Sequence, residues 1–151
     1  MQNWRERLNV HLADWNLLYV KFHHFHWYVA GPHFPALHAK FEELYDMAAS
    51  ALDELAERML AIGLRPAATL KAYGELATIK EAESGLTDAD MVRQAAEDVA
   101  ALARDMERTA ESAEKAGDAA TSDLLIGQVK ALQKQGWMLS AMAGSREPAR
   151  V

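Results

Sequence analysis

Apolar residues recur at three- and four-residue intervals along almost the whole chain, which is the spacing of one face of an α-helix. The first such segment covers residues 4–29. Gly31-Pro32 follows it, and there proline cannot continue a helix while glycine permits a turn. The second segment covers residues 34–62 and stops at Gly63. Two long helices joined by so tight a turn are predicted to form an antiparallel hairpin.

The second half of the chain predicts two more helices after a long connection over residues 64–87. A short helix is expected within that connection, near residues 70–76. Thr87 is the predicted N-cap of the third long helix, because acidic residues follow it in the first turn, where they suit the helix dipole. Gly117 ends this helix, and Thr121 or Ser122 is predicted to cap or begin the fourth.

Four long helices with one long crossover between the second and third predict an all-α, ferritin-like bundle. We expect a single domain over residues 1–151, because one domain commonly has ~100–150 residues. The chain is 50% hydrophobic and 25% charged, which is typical of globular proteins. No stretch approaches the ~18 apolar residues of a membrane span, and charged residues occupy the place of a signal segment. A soluble, cytoplasmic protein without a membrane partner is therefore expected.

Composition and charge also exclude several kinds of chemistry. The chain has no cysteine, which excludes disulfides, thiolate metal sites and thiol catalysis. The net charge is −6, and residues 81–123 carry 12 acidic against 4 basic residues. Such an acidic centre argues against a surface for phosphate groups and is compatible with attracting cations. A solvated helix face remains the simpler interpretation of any single charge.

The histidines carry the first indication of a metal site. All six lie within the first 38 residues, and no Glu-x-x-His motif occurs, so the usual di-iron site inside one bundle is excluded. His26 and His38 lie six residues on either side of Pro32. In a hairpin that turns there, they would face each other. Glu42 lies four residues after His38, on the same helix face.

A second group of candidate ligands lies further along the second helix. Asp53 and Glu57 form an i, i+4 pair, but Asp53 is ~22 Å along the axis from His38, so one straight helix cannot bring both groups to one metal. Two antiparallel copies related by a two-fold axis would make two equivalent shared sites. Mixed nitrogen and oxygen ligands suit iron, and also zinc or manganese. Taken singly, each histidine could instead be a hydrogen-bonded core residue, and the acidic pair a surface charge.

The segment over residues 21–63 carries a resemblance to a known family. It contains HW at 26–27, LH at 37–38, FEELYD at 41–46 and DELAER at 53–58. A late Gly-Trp-Met-Leu run lies at 136–139. These motifs and the helix pattern resemble the Dps family (DNA-binding protein from starved cells), ferritin-like proteins that protect bacteria from iron and peroxide. The resemblance extends over nearly the whole chain.

The resemblance implies a hollow shell of twelve subunits with an iron-oxidising site at each two-fold interface. The family's metal ligands fall on His26, His38, Asp53 and Glu57. Glu42 occupies a position where the family often has Asp, which could alter occupancy by a second metal. Trp27 would lie near the iron, where it either intercepts oxidising equivalents or packs as a core aromatic.

The resemblance also implies a reaction. Two Fe(II) ions would each give one electron to hydrogen peroxide, which avoids release of hydroxyl radical, and ferric mineral would collect inside the shell. The sequence leaves dioxygen open as the oxidant. Asp118 and Asp123 match the region of the family's acidic iron-entry pores, although acids near a helix N-terminus are also favoured by the dipole alone.

DNA binding in the family usually depends on a lysine-rich tail, and this chain departs from that pattern. Its last residues, SREPARV, offer only Arg146 and Arg150 against Glu147. We expect DNA binding to be weak and salt-sensitive or absent. The alternatives to an iron-oxidising store are a DNA-coating nucleoid protein with secondary iron chemistry and a purely structural oligomeric bundle.

Overall fold

The computed structural model describes residues 3–144, and these residues form five helices and no strand. The helices are α1 (Trp4–Tyr28), α2 (Phe34–Ala61), α3 (Leu70–Leu76), α4 (Asp88–Lys115) and α5 (Ala119–Met142). Helices α1 and α2 pack as one hairpin, α4 and α5 pack as another, and α3 lies against α1. This arrangement confirms the predicted ferritin-like bundle and the short helix in its crossover.

The core lies where the apolar stripes of the four long helices meet. Its largest fully buried side chains are aromatic, and most of them belong to α1: Trp15, Phe22, Phe25 and Phe41. Burial of one such side chain contributes roughly 1.5–3 kcal/mol. The three phenylalanines therefore hold the α1–α2 hairpin together close to its turn, where the Phe25 and Phe41 rings lie 5.3 Å apart.

The turn between α1 and α2 depends on Gly31. Its φ is +111°, a conformation that side chains with a Cβ rarely adopt. A Cβ at this position would also lie 3.4 Å from Asp88 Oδ2. This compact reversal sets the register of α1 against α2, and so decides which residues of the two helices lie level with each other.

Buried polar residues of α1 hold the crossover in place. The carboxylate of Asp14 accepts hydrogen bonds from the backbone N–H groups of Thr78 (2.7 Å) and Ile79 (3.0 Å), and from the Thr78 hydroxyl (2.7 Å). About two turns later, Lys21 Nζ donates to the Lys80 carbonyl at 2.7 Å. The path of residues 77–80 is therefore set by side chains more than fifty residues earlier in the chain.

The helix starts confirm one predicted cap and correct another. Thr87 caps α4 in a capping box with Asp90, as predicted. The prediction of Thr121 or Ser122 as the start of the last helix is wrong. Asp118 is the N-cap, and its side chain accepts from the backbone N–H of Thr121 at 3.0 Å. Gly117, with φ +90°, reverses the chain directly before Asp118, so α5 begins at once and buries Thr121 and Ser122.

Candidate metal centre

His26 and His38 face each other across the hairpin, as their symmetry about Pro32 predicted. Their rings stack with centroids 3.7 Å apart and planes inclined by 14°. His26 Nδ1 donates to the backbone carbonyl of His38 at 2.7 Å, and His38 Nδ1 donates to the carbonyl of His26 at 2.8 Å. Each histidine thus orients the other through the backbone of the opposite helix.

This reciprocal hydrogen bonding determines which nitrogen of each ring carries the proton. A carbonyl oxygen only accepts, so Nδ1 of each neutral ring must carry the proton and Nε2 must carry the lone pair. A metal-binding histidine is commonly held in this way, with one nitrogen donating to a carbonyl and the other free to bind. His26 is buried and His38 is half-buried. The pair is therefore a preformed two-nitrogen donor set.

The second candidate group lies further along α2. Asp53 and Glu57 are both exposed. The pKa of Glu57 is raised, first by its hydrogen bond with Asp53 and then by the negative charge of that residue. Two carboxylates that share a proton in this way repel each other when both ionise, and a bound cation would relieve that repulsion.

Within residues 3–144 of one chain, no group of three or more histidine and acidic side chains converges on a point where a metal could bind. The imidazole pair and the carboxylate pair are therefore two separate groups of candidate ligands in the single chain. This separation is the one expected from their positions along one straight helix.

Glu42 and Tyr45 lie beside the imidazole pair on α2. Glu42 is exposed, and its Oε1 lies 3.4 Å from the Tyr45 hydroxyl, which donates to it over this long distance. The Tyr45 ring meets His26 edge-on, with centroids 5.3 Å apart. The pKa of Tyr45 is raised, first by loss of hydration and then by the charges of Glu42 and Asp46.

Sequence reasoning missed the position of Tyr45 and also that of His23. The His23 ring stacks on Tyr45 with centroids 3.7 Å apart, and its Nδ1 donates to the Tyr19 carbonyl at 2.7 Å. Helical spacing could have indicated that both residues lie beside the histidine pair, because His23 precedes His26 by three residues and Tyr45 follows His38 by seven.

Trp27 points away from the core, and 67% of it is exposed. Although it follows His26 directly in sequence, its ring lies against His23, with centroids 5.3 Å apart. The interpretation of Trp27 as a packed core aromatic therefore does not hold within the chain.

The two acidic residues predicted near an entry pore differ in their surroundings. Both carboxylate oxygens of Asp118 are engaged, one with the Thr121 hydroxyl at 2.6 Å and the other with Arg58 at 3.1 Å. The Thr121 hydrogen bonds, with Arg58 in support, lower the pKa of Asp118. Asp123 is exposed, and it lines a cavity of about 420 Å³ between α2 and α5 together with Glu54.

Comparison with known proteins agrees with this arrangement. The family model of the ferritin-like domain matches residues 5–146 of the chain. DNA protection during starvation protein 2 of Bacillus anthracis is 47% identical over 136 residues, which cover 90% of this chain and 93% of that protein. The chain belongs to the Dps family of ferritin-like proteins. This membership implies an iron-binding, protective protein.

Two solved Dps structures extend the likeness to three dimensions. Dps from Staphylococcus aureus superposes with a TM-score of 0.91 at 39% identity, covering 95% of this chain and 98% of the other. Dps from Listeria innocua, solved after a zinc soak, gives a TM-score of 0.90 at 35% identity, covering 94% and 97%. As for membranes, none of the helices described for this Dps-family chain is long and apolar enough to span a bilayer.

Proposed function

We propose that this protein is a ferroxidase and iron store, which oxidises Fe(II) with hydrogen peroxide at sites shared between two subunits. The observation that carries the proposal is the reciprocal hydrogen bonding of His26 and His38, which leaves Nε2 of both rings free. Two preformed nitrogen donors without a third ligand from the same chain make an incomplete metal site. A second copy would complete it.

In the proposed site, the missing ligands are Asp53 and Glu57 of a two-fold related copy. Two histidines and two carboxylates form a hard, thiolate-free set that suits Fe(II), with zinc or manganese as substitutes. Glu42 lies four residues from His38 on the same side of α2, where it would serve a second iron. Trp27 is the exposed aromatic residue nearest to the pair in sequence, and we assign it the interception of stray oxidising equivalents.

The proposed reaction transfers electrons in pairs. Each of two Fe(II) ions gives one electron, and hydrogen peroxide takes both electrons with two protons to form two molecules of water. Dioxygen is the alternative oxidant. Because no one-electron reduction of peroxide occurs, no hydroxyl radical is released, and this accounts for a protective role under oxidative stress.

The store itself would be a closed shell, which we expect to contain twelve copies, with ferric mineral inside. For iron entry, Asp123 is the stronger of the two predicted pore residues, because the carboxylate of Asp118 already caps α5 and pairs with Arg58. We place the protein in the bacterial cytoplasm, where it could also associate with the nucleoid.

Coating of DNA is the second candidate, and the name of the Bacillus anthracis relative, a DNA protection protein, favours testing it. The acidic balance of residues 81–123 opposes strong binding to phosphate groups. Arg146 and Arg150, the tail residues considered above, lie outside the described residues. A mobility-shift assay at physiological salt separates the two functions, and we expect no shift there.

The decisive experiment is anaerobic loading with Fe(II), followed by one addition of peroxide. We expect prompt ferric absorbance, with the iron retained in a large particle on gel filtration. Asp53→Asn should reduce the initial rate by about a hundredfold, because a ligand of the site is lost. The matched control is Glu107→Gln, which removes one exposed charge on α4 and should keep the full rate. Oxidation no faster than in buffer, with iron precipitating outside the protein, would contradict the proposal.

A further inference from the structure

A polar cluster outside the proposed metal site joins the first turns of α2 to the end of α5. Its centre is the ammonium group of Lys40, which is buried. Lys40 Nζ donates to Gln135 Oε1 at 2.7 Å and to Glu43 Oε2 at 3.0 Å, and it lies 3.4 Å from Met138 Sδ. An ammonium group has three N–H bonds, so each of them is matched here by one acceptor.

These three acceptors are unequal. The amide and carboxylate oxygens accept strongly, whereas a thioether sulfur is a weak acceptor. The two oxygen-bearing side chains also hold each other, because Gln135 Nε2 donates to Glu43 Oε1 at 3.1 Å. The hydrogen bond from Lys40 is the main reason why the pKa of Glu43 is lowered. The ammonium group is therefore fixed by two side chains, and its third N–H is directed at the sulfur of Met138.

Oxidation of that sulfur would improve the third hydrogen bond. Methionine sulfoxide carries a polar S–O group in place of an apolar thioether. Its oxygen accepts strongly, and a hydrogen bond from an ammonium group is charge-assisted. Met138 is half-buried, so a molecule as small as hydrogen peroxide has access to it from solvent.

We propose that Met138 is a site of oxidation by hydrogen peroxide, with Lys40 as the proton donor in the step and as the partner of the sulfoxide. The sulfur attacks one peroxide oxygen, so that an S–O bond forms and the O–O bond breaks. Lys40 gives a proton to the departing oxygen, which leaves as water, and then takes the proton of the hydroxysulfonium group. Sulfur loses two electrons and peroxide gains them, and a neutral sulfoxide faces the restored ammonium group.

Met142 provides a comparison within the same helix. It lies one turn beyond Met138 and is 40% exposed, which is more than Met138. Access alone therefore predicts that Met142 is oxidised first. Proton donation by Lys40 predicts the opposite order, because a positioned general acid accelerates the breaking of the O–O bond.

Peptide mapping by mass spectrometry tests this order. The protein is kept free of metal with a chelator, treated with hydrogen peroxide and sampled over time. We expect Met138 sulfoxide to form about tenfold faster than Met142 sulfoxide, and Lys40→Gln to remove that advantage. Lys130→Gln, an exposed change on α5, is the matched control and should keep it. Earlier oxidation of Met142 in the wild type, or an unchanged order in Lys40→Gln, would overturn the proposal.

Lys40→Arg separates proton donation from structure. Arginine keeps the positive charge and the N–H donors, but it does not give up its proton in proteins. The oxidation of Met138 should therefore slow about tenfold in this variant while the fold is kept. An undiminished rate in a folded Lys40→Arg protein would exclude Lys40 as the proton donor.

Hydrogen exchange tests the second part of the proposal, the hold of Lys40 on the sulfoxide. In Met142→Leu, which leaves Met138 as the methionine to be oxidised at this end of α5, treatment with peroxide should slow exchange of the backbone amides of residues 40–44. Faster exchange would show that the sulfoxide disrupts the cluster and is not held by Lys40. Because no iron is present, these outcomes are independent of the proposed ferroxidase function.

Discussion

At the scale of single residues, the chain uses buried histidines in two opposite ways. His26 keeps a free Nε2 because its Nδ1 is bonded to a carbonyl. His11, between α1 and α4, is fully buried, and its Nε2 lies 2.7 Å from the Thr109 hydroxyl. Its Nδ1 is one of the few buried side-chain atoms of the described residues without a hydrogen bond. His11 therefore packs as a neutral ring inside the bundle.

The electrostatics of His11 agree with that role. Burial lowers its pKa from 6.5 to about 4, and the nearby carboxylate of Asp105, 3.7 Å from Nδ1, only partly opposes this effect. Arg7 and Arg108, which also pair with Asp105, lower the pKa further. The loss of hydration thus outweighs the single favourable charge.

This shift predicts a loss of stability in mild acid. Between pH 6.5 and about pH 4, the unfolded chain binds a proton at His11 that the folded chain excludes, so the free energy of unfolding falls as the pH decreases. The full loss is roughly 3 kcal/mol, reached below pH 4. Denaturant unfolding at pH 7 and pH 5, at one protein concentration, measures it.

Comparison with a variant isolates the contribution of His11. The pKa values of Asp14 and Asp98 are raised, mainly by burial, and these residues favour the folded state as the pH falls. In His11→Gln, only the histidine contribution disappears. The free energy of unfolding of this variant should therefore be more favourable at pH 5, relative to pH 7, than that of the wild type. The exposed His33→Gln serves as control. Equal pH dependence in wild type and His11→Gln would contradict the prediction, because His11 would then take up its proton equally in the folded and the unfolded chain.

At the scale of helices and loops, α1 both packs in the core and holds the crossover in place. Asp14 shows this most clearly, because its carboxylate is buried and satisfies two backbone N–H groups of the crossover at once. Apolar packing also contributes, because Ile79 is buried in the core and Tyr73 of α3 packs against it. The position of residues 77–80 therefore depends on these buried hydrogen bonds together with apolar contacts.

Asp14→Ala should consequently destabilise the protein by about 3 kcal/mol, because two buried N–H donors lose their acceptor. Hydrogen exchange should accelerate at Thr78 and Ile79 while the amides of α4 and α5 remain protected. Glu107→Ala, an exposed change on α4, should alter the unfolding free energy by less than about 0.5 kcal/mol. Unchanged exchange at residues 78–79 would mean that the crossover is held by other contacts.

The elements also show what the sequence could predict. Helical periodicity located all four long helices, because each of them buries a regular stripe. The anchoring of Thr78 by Asp14 could not be foreseen, since 64 residues separate them and periodicity describes only neighbours within a helix. The cap at Asp118 was missed for another reason: aspartate, threonine and serine all cap well, and the reversal at Gly117 decides among them.

The sequence predicted one part of the candidate site and missed another, because spacing along the chain describes only some of its contacts. The symmetry of His26 and His38 about Pro32 was sufficient to predict their pairing, because a hairpin converts equal sequence distances into facing positions. The stacking of His23 on Tyr45 depends on side-chain rotamers, which sequence spacing does not specify. The proposed completion of the site requires a second chain, and the only sequence feature that indicates it is the separation of the two candidate ligand pairs along α2.

At the scale of the whole molecule, the proposed site makes the single chain an incomplete unit. Its imidazole pair lies near the start of α2 and its carboxylate pair lies near the end. A two-fold axis between two antiparallel α2 helices would bring each pair to its complement. Large apolar side chains that remain exposed on the chain, such as Val20, Leu60 and Leu70, are consistent with further contacts between copies.

The shared site can be tested by complementation between two inactive variants. His38→Ala and Asp53→Ala should each abolish rapid iron oxidation, since every site of either shell lacks one ligand. In shells co-assembled from equal amounts of both, half of the interfacial pairs are mixed. Each mixed pair has one site with both defects and one intact site, so about a quarter of the wild-type activity should return.

Co-expression with two different affinity tags, followed by sequential purification, yields the mixed shells, and the stopped-flow rate of ferric absorbance measures the recovery. Shells that carry both tags on the same variant are the control and should stay inactive. A site built within one chain predicts no recovery, because neither variant chain then holds a complete ligand set. Recovery would therefore locate the chemistry at the boundary between copies and would identify which residue each copy supplies.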